Sequence, residues 1–172
     1  MSEFPFHEIA PEALADNVFK AIGRDWMLIT AGTAGGFNTM TASWGGLGIL
    51  WGKPVAFVFV RPQRHTFGFM ETGSHYSLSF FDESYRKVLN YCGSHSGRDV
   101  DKVAETGLTP LPGRTGAVLF EEARLAVECR KLYAQDLTEA NFVDTAIVDQ
   151  VYATRDFHRM YVGEVVRIWE KD

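Results

Sequence analysis

The sequence predicts a mainly β protein, an antiparallel barrel with short helices in its connections. Two observations point there. Short runs such as Val55–Val60 (VAFVFV) and Tyr76–Phe81 (YSLSFF) are dense in β-branched and aromatic residues, which suit a pleated, buried sheet. The helical patterns are short and sit in turns, with no regular strand-helix alternation, which disfavours a parallel doubly wound sheet. The 172 residues fit one domain spanning 1–172, enough to bury a real core.

The elements follow in chain order. Pro11 to Ile22 (PEALADNVFKAI) places Leu14, Val18, Phe19 and Ile22 at helical spacing, with proline in the first turn and Gly23 past the end. Trp26–Ala31 (WMLITA) reads as a strand, Gly32–Gly36 (GTAGG) as a turn and Phe37–Trp44 as its extended return, so the two pieces form a hairpin. Val55–Val60 is a buried strand and His65–Thr72 a short helix. Tyr76–Phe81 is a strand; Glu83–Tyr91 and Arg98–Thr106 are helical; Ala117–Glu121, Ala123–Tyr133 and Arg159–Trp169 are strands. Leu125, Val127 and Cys129 form one apolar phase against Ala126, Glu128 and Arg130. In the last strand Val162 and Val166 form the more apolar phase, against Tyr161, Gly163, Val165 and Arg167.

Charge and cysteine usage narrow the function. A net charge of −5 argues against a general nucleic-acid or anionic-membrane role, while leaving room for a local basic site for one small anion. The opening MSEFPFHEIA has acidic residues and no long apolar run, so it reads as neither a signal peptide nor a membrane span. Cys92 and Cys129 stand far apart with no metal-ligand pair beside either, as reduced thiols in a cytoplasmic protein would.

Three polar constellations carry chemistry. The first is Asn38–Trp44 (NTMTASW). It reads either as a solvated strand face or as a ligand edge, in which threonine and serine hydroxyls with backbone amides fix the polar rim of a heterocycle and Met40 or Trp44 packs on its apolar part. The second is VRPQRHT, directly after the buried strand. Arg61 and Arg64 could be surface arginines, or their forks could meet a phosphate with the Thr66 hydroxyl, Pro62 fixing the backbone between them. The third is Cys92–Lys102 (CGSHSGRDVDK), where Ser96 and Asp99 resemble a capping box and Gly107 with Pro110 supplies the stop. Such a helix start would present free amides to a phosphate, with Arg98 and Lys102 adding charge.

Other motifs fail. No Gly-x-Gly-x-x-Gly follows a strand, there is no Walker lysine, and GSHSG centres on His95 and not on serine. Cys92 with His95 lacks an orienting third group for a thiol nucleophile. The five histidines do not stand at metal spacings, and His158 in DFHRM is ambiguous alone.

Taken together, NTMTASW, Arg61–Thr66 (RPQRHT), Ser96–Lys102 (SGRDVDK) and His158–Val165 (HRMYVGEV) resemble, in content and order, the flavin reductase-like family, including its flavoredoxin-type members. The resemblance runs from about Trp26 to Val166 and implies an antiparallel FMN-binding split β-barrel. It implies an FMN site in which Asn38, Thr39, Met40, Thr41, Ala42, Ser43 and Trp44 lie along the flavin ring and ribityl chain. Arg61, Pro62, Arg64 and Thr66 would form the phosphate segment. Ser96, Gly97, Arg98 and Lys102 would lie near the phosphate or the nicotinamide approach, and His158 close to the ring. The expected activity is NAD(P)H-dependent flavin reduction, with NADH or NADPH as donor and no indispensable general acid or base. The alternatives are a flavoredoxin-type electron-transfer protein with bound FMN and no nicotinamide turnover, and a barrel that binds some other ligand. The resemblance also implies a homodimer. The glycine-rich Gly45–Trp51 (GGLGILW), a departure from many relatives, would be buried within one subunit or seek a partner surface.

Overall fold

The structure, a computed structural model, describes residues 4–171. Among the described residues, ten strands carry the fold: β1 (Phe6–Ile9), β2 (Met27–Thr33), β3 (Gly36–Ala42), β4 (Gly45–Leu50), β5 (Lys53–Val60), β6 (His75–Phe80), β7 (Pro110–Pro112), β8 (Val118–Phe120), β9 (Leu125–Asp136) and β10 (Arg159–Lys171). Five helices connect them: the single turn α1 (Val18–Lys20), α2 (His65–Thr72), α3 (Arg86–Ser94), α4 (Lys102–Thr106) and α5 (Ala146–Val151). The main sheet runs β3-β2-β6-β9-β10-β5-β4, with β1 also on β10, and its pairings are antiparallel. Its two end strands, β3 and β4, follow each other in the chain with only Ser43 and Trp44 between them. A sheet whose ends are joined by so short a link must curl round on itself, as a barrel does. The predicted mainly β, antiparallel barrel with short helices is the fold observed.

Burial on both faces explains the unalternating apolar runs. Met27, Ile29 and Ala31 point into the barrel with Val58, Val60, Leu78, Val127 and Tyr161. Leu28 and Ala126 point outward into a second cluster with Leu89, Cys92, Phe120 and Trp169, under α3 and the β7–β8 ribbon. Glu128, fully buried on that outer face, accepts from the Arg114 and Thr115 amides, the Thr115 hydroxyl and Trp169 Nε1. Both cysteines are free and buried. Among the described residues, no helix is long and apolar enough to cross a membrane.

Several expectations are corrected. Pro11 to Ile22 is not one helix: a 3-10 turn over Pro11–Ala13, the single turn α1 and a π turn over Ala21–Asp25 replace it. Asp16 is held by Arg124 through two bonds of 3.1 and 2.7 Å, and Asn17 caps α1 by accepting from the Lys20 amide. Both side chains thus favour a break over helix continuation. The helix expected over Arg98–Thr106 begins only at Lys102, capped by Asp101, which accepts from the Val103 and Ala104 amides. Ser96 and Asp99 form a turn before it, and Gly107, at φ 73°, ends the helix as read. In β10 the core phase is Tyr161, Val165 and Ile168, because register shifts at Val162/Gly163 and Val165/Arg167 break the alternation. Gly45–Leu50 is not buried within the subunit but forms the end strand β4, with Ile49 72% exposed.

Candidate functional site

The site grows from an unpaired strand edge. Strand β3 ends the sheet: β2 pairs with one side, and among the described residues no strand pairs with the other. The free edge carries main-chain donors and acceptors, one of which, the Thr39 carbonyl, takes a bond from Lys102 Nζ. Hydroxyls that could serve a ligand are partly used elsewhere. Thr39, 1% exposed, pairs its hydroxyl with that of Thr30 across the hairpin at 2.9 Å, and Thr41 donates to the Leu89 carbonyl of α3. Asn38 donates to the buried Thr66 hydroxyl at 2.8 Å, fastening β3 to the start of α2.

Two grooves of about 350 and 370 Å³ meet along this edge. Met40, Thr41, Ala42, Ser43, Trp44, Phe59, Arg61, Gln63, Arg64 and His158 line the first. The second shares Met40, Gln63 and Arg64 with it and adds Asn38, His65, Thr66, Ser94, His95, Ser96, Gly97, Arg98, Asp99 and Lys102. The four sequence segments therefore converge on one cleft. Pro62 stands outside its lining, in the exposed turn closed by the Arg64 amide on the Arg61 carbonyl. Thr39 gives its carbonyl, not its hydroxyl, to this side.

The two ends of the cleft differ in chemistry. At one end the Trp44 and His158 rings lie 5.2 Å apart, with Phe59 against the imidazole. His158 is 8% exposed; burial first, then the Arg61 charge, lowers its pKa to about 4, so the ring is neutral near pH 7. At the other end Lys102, 5% exposed, donates to the Thr39 and Cys92 carbonyls, each at 2.7 Å. Burial lowers its pKa to about 8. Arg64 donates to the Gly93 carbonyl at 3.1 Å, and burial, then Arg61, lowers its pKa. Among the described residues no carboxylate forms an ion pair with Arg64 or Lys102. A buried lysine and a half-buried arginine answered only by carbonyls make a ready receptor for an anion. Gly97 keeps that end open: a Cβ there would fall 1.9 Å from Asn38 Oδ1. Arg98 leans on the Gln63 carbonyl at 2.9 Å, and the Ser96 hydroxyl accepts from the Arg98 amide.

Sequence reading missed several members of the site. Phe59 belongs to the half-buried phase of VAFVFV, a signal hidden by the apolar run. Gln63 sits inside RPQRHT between the two arginines. Tyr152 and Asp156 gave no local signal; they reach Arg61 and His158 through the long connection between β9 and β10.

A curled antiparallel sheet with short helices is the fold of the FMN-binding split β-barrel proteins. The chain belongs to the flavin reductase like domain family, which it matches over residues 19–172. It is similar to an FMN-binding protein from Thermus thermophilus solved with p-hydroxybenzaldehyde, at 26% identity and TM-score 0.67, covering 95% of this chain and 81% of that one. It resembles in fold the flavoredoxin of Desulfovibrio vulgaris (Miyazaki F), at 20% identity and TM-score 0.67, covering 95% and 77%. The same holds for a Streptomyces globisporus NADH:FAD oxidoreductase, at 16% identity and TM-score 0.65, covering 85% and 75%. No curated protein sequence matches the chain.

Proposed function

We propose that this protein binds FMN in the β3 cleft and acts as an NAD(P)H-dependent flavin reductase. The observation that carries the reading is the polarity of the cleft, with Arg64 and Lys102 lacking an acidic partner at one end and Trp44, Phe59 and neutral His158 at the other. The donor set fits the cofactor: Arg64, Lys102, Arg98 and Ser96 would hold a phosphate, and Met40 and Trp44 would pack on the ring. Alternate main-chain groups of the free β3 edge would meet the ring's polar rim. When bound, FMN supplies the electron-accepting chemistry, including acceptance of hydride from a nicotinamide. The protein's part is to orient the partners and exclude water. The reading gives His158 no proton-carrying part, since the ring is neutral and has both nitrogens hydrogen-bonded. Anaerobic mixing of the FMN-loaded protein with NADH and with NADPH tests the activity. Bleaching of the flavin band followed by turnover with free flavin supports it; a loaded protein that neither nucleotide bleaches is instead the flavoredoxin-type carrier.

We extend the proposal to a homodimer in a cytoplasmic setting. The dimer is supported by exposed apolar groups on and beside the end strand β4. Ile49 is 72% exposed and Trp51 59%; beyond the strand, Trp44 is 48% exposed and Phe19 92%. Trp44 and Phe19 flank a largely apolar groove with Ile22 and Leu47. The free, buried state of both thiols is compatible with a reducing compartment.

A further inference from the structure

The connection between β9 and β10 leaves the sheet, carries α5 and returns at His158, its neck closed by the Leu137 amide on the His158 carbonyl at 2.9 Å. One arginine fastens it to the barrel. Arg61, just past β5, donates from Nη1 to Asp156. Its Nη2 donates to the Val151 carbonyl at 3.5 Å, and its Nε to His158 Nε2 at 3.4 Å. Its guanidinium carbon lies 5.5 Å from the Tyr152 ring centre. Gln63 and Thr154 complete the Asp156 carboxylate at 2.8 and 3.0 Å. Each guanidinium nitrogen is thus engaged with this excursion, whereas the neighbouring Arg64 gives one bond to a carbonyl.

The contact with His158 has a chemical consequence. Arginine only donates, so His158 Nε2 must be the lone-pair nitrogen. In a neutral ring Nδ1 then carries the proton, which goes to the Tyr152 hydroxyl oxygen 2.8 Å away. Both nitrogens are occupied, and the imidazole offers the cleft a ring face.

We propose that Arg61 is a positioning residue: it seats the excursion at the cleft mouth and fixes His158 as the Nδ1-protonated tautomer, leaving Arg64 and Lys102 to carry the anion. The anion half of this assignment rests on the FMN reading above. The tautomer half is a property of the ligand-free protein.

The test combines the long-range 1H–15N histidine spectrum of the ligand-free protein with fluorescence titrations of FMN and of riboflavin, which lacks the phosphate. The parent protein shows His158 with a protonated Nδ1 and a lone-pair Nε2. Arg61→Met loses that pattern and weakens FMN and riboflavin by the same factor. Arg64→Met keeps the pattern and weakens FMN about tenfold to a hundredfold more than riboflavin. An unchanged His158 pattern in Arg61→Met, or a loss in that variant selective for FMN, overturns the proposal. If the parent binds neither flavin, the FMN reading fails while the spectrum still decides the role of Arg61. Should Arg61→Met not fold, Arg61→Lys keeps the charge without the fork: loss of the pattern supports the assignment and its retention overturns it.

Discussion

Lys102 and His158 are buried titratable groups of the cleft, and each makes stability depend on pH in its own window. Lys102 has its folded pKa lowered to about 8 by burial. Between there and the unfolded value of about 10.4 the unfolded chain holds more protons, so stability rises with pH across this window. Below about pH 8 the full cost of the buried charge is present, of order 3 kcal/mol. Lys102→Met should flatten the denaturation midpoint between about pH 8 and 10.4. It should also weaken FMN, measured at pH 7. His158 behaves with the same sign at lower pH: with its folded pKa near 4, stability is lost as pH falls from about 6.5 towards 4. His158→Gln should remove that slope, which urea titrations across the range would register. A parallel slope in the variant would show that the ring is not buried as described.

At the scale of elements, the segment from Ser96 to Thr106 holds the anion end open. Gly97→Ala would drive a Cβ into Asn38 Oδ1 and strain the Asn38–Thr66 bond that joins β3 to α2. A destabilisation of about 1–3 kcal/mol with weakened FMN binding is expected from thermal melts and titration. Asp101→Ala, which uncaps α4, should cost about 1 kcal/mol and leave the ring end of the cleft intact. The sequence was most legible where one local rule governed. His65–Thr72 appears as read, and the β2–β3 hairpin lies within a residue or two of its expected span. It was least legible where a distant partner decided. Asp16 breaks the expected first helix because Arg124, far along the chain, binds it. The β10 phase is reset by bulges, which leave no mark in composition. Strand β4 was missed because glycines at 45, 46 and 48 mask a β pattern, and its Trp51–Gly52 turn has φ 54° and 70° without the usual Asn-Gly signal. The site motifs were readable because hydroxyls, arginines and glycines clustered locally; Tyr152 and Asp156 were not, since only the fold brings them to Arg61.

At the scale of the whole molecule, the exposed apolar groups on β4 and in the turn after it should be covered by a second chain. Sedimentation should report a dimer, and Ile49→Glu with Trp51→Glu should shift it towards monomer with little loss of monomer secondary structure, since both side chains are exposed. A dimer unmoved by both changes would locate its interface elsewhere. Whether the cleft is a flavin site is read from the visible absorption spectrum of the purified protein, before and after adding FMN and removing the excess. Flavin bands should be retained at near one FMN per chain and lost in Arg64→Met at low micromolar protein. A colourless protein that neither retains added FMN nor quenches its fluorescence would contradict the flavin site.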